Sequence, residues 1–230
     1  MRRWVVVVVL LLAVVAAGLA DAHHVGVFIP KDNDVTKNVK EIRFAAEAGR
    51  YDLARKLFDD GIVHATMEKQ EKNLPRGLED GLRAALQRGD LPGAELRLAI
   101  FLAFLTRERL GDARTRLFAP GLQPARRQEL ARKLVNAAWR YYNLADFVVS
   151  AQSAKAGVAL RMGFEDAQTY LGGMMVDPMW AAAANARPAQ PDETRAAAEL
   201  TAMTETLDRF VADAAAIARS GRADRFLPRR

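Results

Sequence analysis

The chain of 230 residues contains no cysteine. It can therefore form no disulfide, thiolate metal site, iron–sulfur cluster or haem attached through C-x-x-C-H, and its fold must be held by a hydrophobic core. The sequence also lacks a phosphate-binding glycine loop, a dinucleotide-binding fingerprint, an H-E-x-x-H pair and a G-x-S-x-G elbow. Because no nucleophilic or acid–base set is present, we expect a protein without enzymatic activity.

The formal net charge is only +6, and residues of both signs are interspersed along the chain. Such mixing is typical of a solvated surface. No basic stripe alternates with aromatic residues, so we expect no nucleic-acid partner.

The first 22 residues have the order of a secretory signal peptide. Arg2 and Arg3 precede an apolar run from Trp4 to Ala17, and residues 20–22 read Ala-Asp-Ala, a small-residue cleavage pattern. The run is shorter than the roughly 20 residues of a membrane-spanning helix. We expect cleavage, no transmembrane span afterwards, a periplasmic location and a periplasmic or membrane-protein partner. An uncleaved N-terminal anchor is the alternative.

Apolar residues recur at helical spacing nearly everywhere after residue 34, and no stretch shows sustained period-two alternation. The predicted fold class is all-α, either an antiparallel helical bundle or a short helical-hairpin array. The predicted segments are a signal peptide over 1–22, a main helical domain over 23–172, an irregular Met/Pro/Ala-rich linker over 173–192, a long C-terminal helix over 193–218 and a basic tail over 219–230.

Local signals predict several helix ends. Asp34 is the expected N-cap of the first helix, Gly61 interrupts the next helical stretch, and Gly89 stands where a glycine ends a helix. We also expect the very apolar helix that starts at Pro92 to end at Gly111, and the helix that starts at Pro124 to end at Tyr142.

Residues 48–54 read AGRYDLA, a pattern that resembles the inter-helix segment of a tetratricopeptide repeat, where a glycine precedes a tyrosine and an alanine. Weaker matches to this pattern occur around Gly89 and Gly111, so the resemblance covers residues 35–117. The glycines are separated by 40 and 22 residues, whereas the family repeats about every 34 residues. The resemblance implies a groove that binds peptide or protein, without catalysis.

Two of the three histidines, His23 and His24, stand at the predicted mature N-terminus. Cleavage after Ala22 would let the α-amine and ring of His23 chelate one metal ion, with a second imidazole from His24 or His64. Cleavage two residues earlier would leave an Asp-Ala-His terminus, whose amine, backbone amides and imidazole form a square-planar site suited to Cu(II) or Ni(II). The alternative is a polar terminus that binds nothing.

His64, Glu68 and Glu71 are spaced i, i+4 and i+7, which places them on one face of a helix. Imidazole and carboxylate ligands suit iron, zinc or manganese, and a neighbouring helix would have to supply more of them. Glu79 and Asp80 are the candidate donors. The alternative is a solvated face, because lysines intervene.

Met174, Met175 and Met179 lie next to Trp180 in the predicted linker. Thioethers select Cu(I), although flexible methionines also fill gaps in apolar cores. Copper is therefore the first metal that the sequence predicts, iron is the second, and a metal-free helical scaffold for protein interactions is the competing hypothesis.

Overall fold

A computed structural model describes residues 31–173 and 190–223. The predicted signal peptide, most of the predicted linker and the end of the basic tail lie outside these ranges. Within them the chain forms eight α-helices and no β-strand, so the predicted all-α class is confirmed. The helices are α1 Asp34–Glu47, α2 Tyr51–Asp59, α3 Ile62–Lys69, α4 Leu78–Arg88, α5 Leu91–Leu117, α6 Pro124–Gln152, α7 Ala154–Tyr170 and α8 Glu193–Ser220.

The four longer helices, α5 to α8, close into a ring in which each packs against the next and α8 returns to α5. Helices α5 and α8 are antiparallel. Arg97 near the start of α5 donates to the carbonyl of Ala218 near the end of α8 at 2.7 Å, and Arg107 pairs with Asp208 at 2.9 Å further along. These helices therefore form an antiparallel four-helix bundle.

Helix α5 lies at the centre of the molecule. It contacts α6 and α8 within the ring and α4 outside it, and nearly all of its residues from 93 to 106 are buried. The prediction that it ends at Gly111 is wrong. The helix continues to Leu117 because Leu110, Ala113 and Leu117 are buried against the core, and this burial outweighs the roughly 1 kcal/mol that an interior glycine costs.

The predicted end of α6 at Tyr142 is also wrong, because the helix continues to Gln152. Ala145, Val148 and Val149 extend its buried face by two turns. Helix α8 begins at Glu193 and runs two residues past the predicted end at 218. None of the helices in the described ranges is long and apolar enough to cross a membrane.

The first five helices include two helical hairpins, α1–α2 and α4–α5, whose turns have the same geometry. Gly49 and Gly89 adopt left-handed φ angles of 71° and 70°, which favour glycine. In each turn the residue after the glycine donates its N–H to the carbonyl of the residue four positions before the glycine, at 2.8 and 2.9 Å respectively. The two turns lie side by side, since the Tyr51 ring packs on Gly89, with Cε2 3.2 Å from where a β-carbon would stand.

The N-cap of α1 is Asn33 and not the predicted Asp34. The Asn33 side-chain oxygen accepts the Thr36 N–H at 2.9 Å, and the Thr36 hydroxyl accepts the Asn33 N–H at 3.0 Å. This reciprocal capping box satisfies two backbone donors, which leaves Asp34 as the first helical residue with an exposed side chain.

Candidate functional site

His64 lies half-buried on α3 with both ring nitrogens engaged. Its Nδ1 is 3.0 Å from the carbonyl oxygen of Asp59, and its Nε2 is 3.2 Å from both the Glu79 carboxylate and the Arg83 guanidinium. A carbonyl only accepts, so Nδ1 donates to Asp59, whereas Nε2 lies between a donor, Arg83, and an acceptor, Glu79. The nitrogens that a metal would need are therefore already bonded within the protein.

Arg83 is the centre of this cluster. It donates through Nε to Asp59 at 2.9 Å and through Nη2 to Glu79 at 3.0 Å, and its guanidinium lies 5.5 Å from the Phe58 ring. The hydrogen bond that Arg83 donates to Asp59, together with the one that it donates to Glu79, raises the pKa of Arg83. Because Asp59 ends α2 and His64 lies on α3, the cluster joins both helices to α4.

Glu68 follows His64 by one turn on α3, as the spacing predicts, but Glu71 does not continue that face. Helix α3 ends at Lys69, so Glu71 lies beyond it, and both glutamates are exposed. In the part of the chain that the structure describes, no three His, Asp or Glu residues are placed to hold a metal ion.

The other predicted metal ligands lie outside the described residues. These ligands are His23, His24, Met174, Met175 and Met179. Copper at the N-terminus or at the methionines therefore stays a prediction.

A different feature brings four helices together: an open cleft of about 530 Å³ between the start of α1, α3, the second half of α5 and α6. We call it the α3 cleft, and its principal lining residues are Val35, Ile62, Leu105, Tyr141, Lys69 and Arg109.

The floor of the α3 cleft is apolar. Leu105 and Tyr141 are buried, Val35 is half-buried, and Ile62 is 43% exposed. An exposed isoleucine beside buried apolar groups offers a place where another apolar side chain can be covered.

One wall of the cleft is fixed by polar contacts. The amide of Asn33 donates to the Tyr141 hydroxyl at 2.9 Å, while the same side chain caps α1. This bond connects the start of α1 to α6.

The rim of the cleft is mainly cationic. Lys69 is exposed, and among residues 31–173 and 190–223 no carboxylate lies within ion-pair distance of it. Arg109 pairs with Asp112 at 2.9 Å on its own helix, and that pair is exposed to solvent. Asp34 contributes the one carboxylate among the residues that line the cleft, and it lies 3.9 Å from Lys37.

A second polar network connects α6 to α7. The buried Tyr142 hydroxyl donates to Asp146 at 2.6 Å and lies 3.2 Å from the carbonyl of Gly157. Burial, and then the hydrogen bond and charge of Asp146, raise the pKa of Tyr142. Gly157 packs directly on the Ser150 side chain, which leaves no room for a β-carbon. The network thus holds α6 and α7 in close contact at the point where they cross.

Comparison with known proteins found no matching family model, no matching curated protein and no matching solved structure. The grounds for a functional proposal are therefore the fold, the α3 cleft and the two polar clusters themselves.

Proposed function

We propose that the chain is an exported, non-enzymatic binding protein that holds a segment of a partner protein on its N-terminal helices. The observation that carries this proposal is the repeated turn of the hairpins α1–α2 and α4–α5, with the same hydrogen bonds at Gly49 and Gly89 and the ring of Tyr51 between them. Helical hairpins placed side by side present binding surfaces along their faces.

The closed ring of α5 to α8 limits where such a surface lies. Its interior is filled by large apolar side chains, among them Tyr142, Phe164 and Leu207, so it offers no groove to a peptide. The α3 cleft lies where the N-terminal helices meet α5 and α6, and it is open to solvent. We therefore assign the binding surface to this cleft.

The exported location rests on the pattern of residues 1–22, with two arginines, an apolar run and the Ala-Asp-Ala cleavage site. Intact-mass measurement of the tagged chain after fractionation of a Gram-negative host tests it. A periplasmic product that has lost about 22 residues supports export, whereas full-length chain in the cytosol contradicts it.

Binding is tested with a photo-crosslinking amino acid placed at Ile62 and, as the matched control, at Val158, which is 51% exposed on α7. We expect one defined polypeptide to crosslink at Ile62 and not at Val158, and the purified partner to crosslink the chain in return. Equal crosslinking at both positions, or none at Ile62 in a folded protein, contradicts the proposal.

Copper handling at the N-terminus is a second candidate, and it is favoured by the position of His23 and His24 directly after the cleavage pattern. Both histidines lie outside the described residues, so this candidate rests on the sequence alone. Iron at His64 has less support, since both of its ring nitrogens are bonded within the protein.

A further inference from the structure

We infer that the α3 cleft recognises an acidic segment of a partner protein that carries one apolar anchor side chain. This inference rests on the proposed function and adds the chemistry of the partner. It follows from how apolar and charged groups are arranged along α3.

The anchor position is at Ile62, the first residue of α3. Its side chain remains 43% exposed, while Leu105 and Tyr141, which line the same cleft, are buried. An apolar side chain placed over Ile62 would cover the exposed part of this floor, which makes the site selective for apolar residues.

The cationic part of the proposed site lies two helical turns from Ile62. Lys69 follows Ile62 by seven residues on the same face of α3, about 10 Å along the helix axis. Arg109 of α5 lines the same cleft and has only an exposed partner on its own helix. These two cations favour a carboxylate bound in the cleft.

One carboxylate, that of Asp34, also lines the cleft. Asp34 stands at the start of α1 with an 88% exposed side chain, and it would repel an acidic group placed near it. The two cations outnumber this one carboxylate among the residues that line the cleft, so acidic residues of the partner remain favoured.

The distance along α3 also sets a spacing in the partner. About 10 Å corresponds to about three residues of extended chain or about seven residues of helix. We therefore expect an apolar residue followed or preceded by Asp or Glu at one of these two spacings.

The test uses a displayed library of random 12-residue peptides, selected against the mature chain, with enriched peptides measured by fluorescence anisotropy. We expect enrichment of Asp or Glu at one of the two spacings from an apolar residue. Ile62→Glu and the double variant Lys69→Glu/Arg109→Glu should each weaken binding at least about tenfold, and binding should weaken as salt rises.

The matched control is Lys155→Glu/Arg209→Glu, which reverses two exposed cations in a different cleft. It should leave peptide affinity within about twofold, and far-UV circular dichroism should show all variants folded. Vesicles with anionic phosphatidylglycerol form a second arm, because lipid headgroups also carry negative charge.

The outcomes separate the two proposals. If acidic peptides lose affinity only for the control variant, the assignment to the α3 cleft is overturned and the proposal of partner binding stands. Enriched peptides without acidic residues, or charge-reversal effects seen only with vesicles, would overturn the partner chemistry. A selection that enriches no peptide would count against both the inference and the proposed function.

Discussion

Asn38 of α1 bridges the break between α2 and α3. Its side-chain amide donates to the carbonyl of Leu57 at 2.9 Å, and its side-chain oxygen accepts the N–H of Val63 at 3.1 Å. Gly61 lies against this bridge, because a β-carbon there would collide with the Asn38 side chain and the Leu57 carbonyl. One buried amide thus satisfies the end of one helix and the start of the next.

We predict that Asn38→Ala lowers the free energy of unfolding by about 2 kcal/mol, because a buried donor and a buried acceptor lose their partner. Gly61→Ala should cost at least as much, since the collision forces α3 to move. Urea denaturation measures both. Asn73→Ala is the control, because Asn73 is exposed and bonds only to Gln70; an equal loss in that variant would contradict a special role for Asn38.

Arg83→Met should loosen the contact between α4 and the helices α2 and α3. The variant removes the bonds to Asp59 and Glu79, and we expect a loss of about 1 kcal/mol because the groups are only partly buried. Thermal unfolding at low and high salt measures it. Arg55→Met is the control, since Arg55 has a single exposed contact at 3.9 Å and should change stability by less than about 0.5 kcal/mol.

Tyr142→Phe should destabilise the protein by about 1 to 2 kcal/mol at neutral pH, because Asp146 loses its short hydrogen bond. The raised pKa of Tyr142 keeps the phenol neutral in the fold, whereas the unfolded chain releases this proton near its ordinary value of 10.0. Stability therefore falls as the pH rises above that value. This fall should be smaller in Tyr142→Phe than in the unchanged protein. Denaturant midpoints from pH 8 to 11 measure the difference; parallel curves would contradict it.

Glu129 should titrate far below an ordinary glutamate. A hydrogen bond from Lys133, and then one from Arg126, lower its pKa to about 2. This carboxylate stabilises the fold above its ordinary pKa of 4.5, and the contribution is lost as pH falls towards 2. Carbon-detected NMR titration measures the midpoint. Lys133→Ala should move it upward, whereas Lys155→Ala should not move it.

Copper binding by the N-terminus is checked by titration of the processed protein with Cu(II) against a chelator of moderate affinity. We expect the double variant His23→Ala/His24→Ala to bind Cu(II) at least about tenfold more weakly. His64→Ala serves as the control for the bonded histidine of α3. A mature chain that begins after His24, or equal affinity in all three proteins, would contradict copper handling at this site.

Sequence periodicity predicted the helices because each has a continuous apolar face, and the glycines at 61 and 89 marked real breaks. Gly111 misled the prediction because a single glycine cannot end a helix whose next turns are buried. The α3 cleft could not be predicted, since Val35, Ile62 and Tyr141 are far apart in the chain and carry no shared motif. The capping role of Asn33 was hidden by the adjacent Asp34, an equally good cap by residue type.

Because α8 completes the ring of α5 to α8 and follows the other three helices in the chain, the bundle can close only after α8 has been synthesised. Until then the flanks of α5 and α7 that receive Leu200, Met203 and Leu207 have no cover. A nascent chain therefore exposes an apolar surface until α8 has been made, and at that stage it is prone to aggregation.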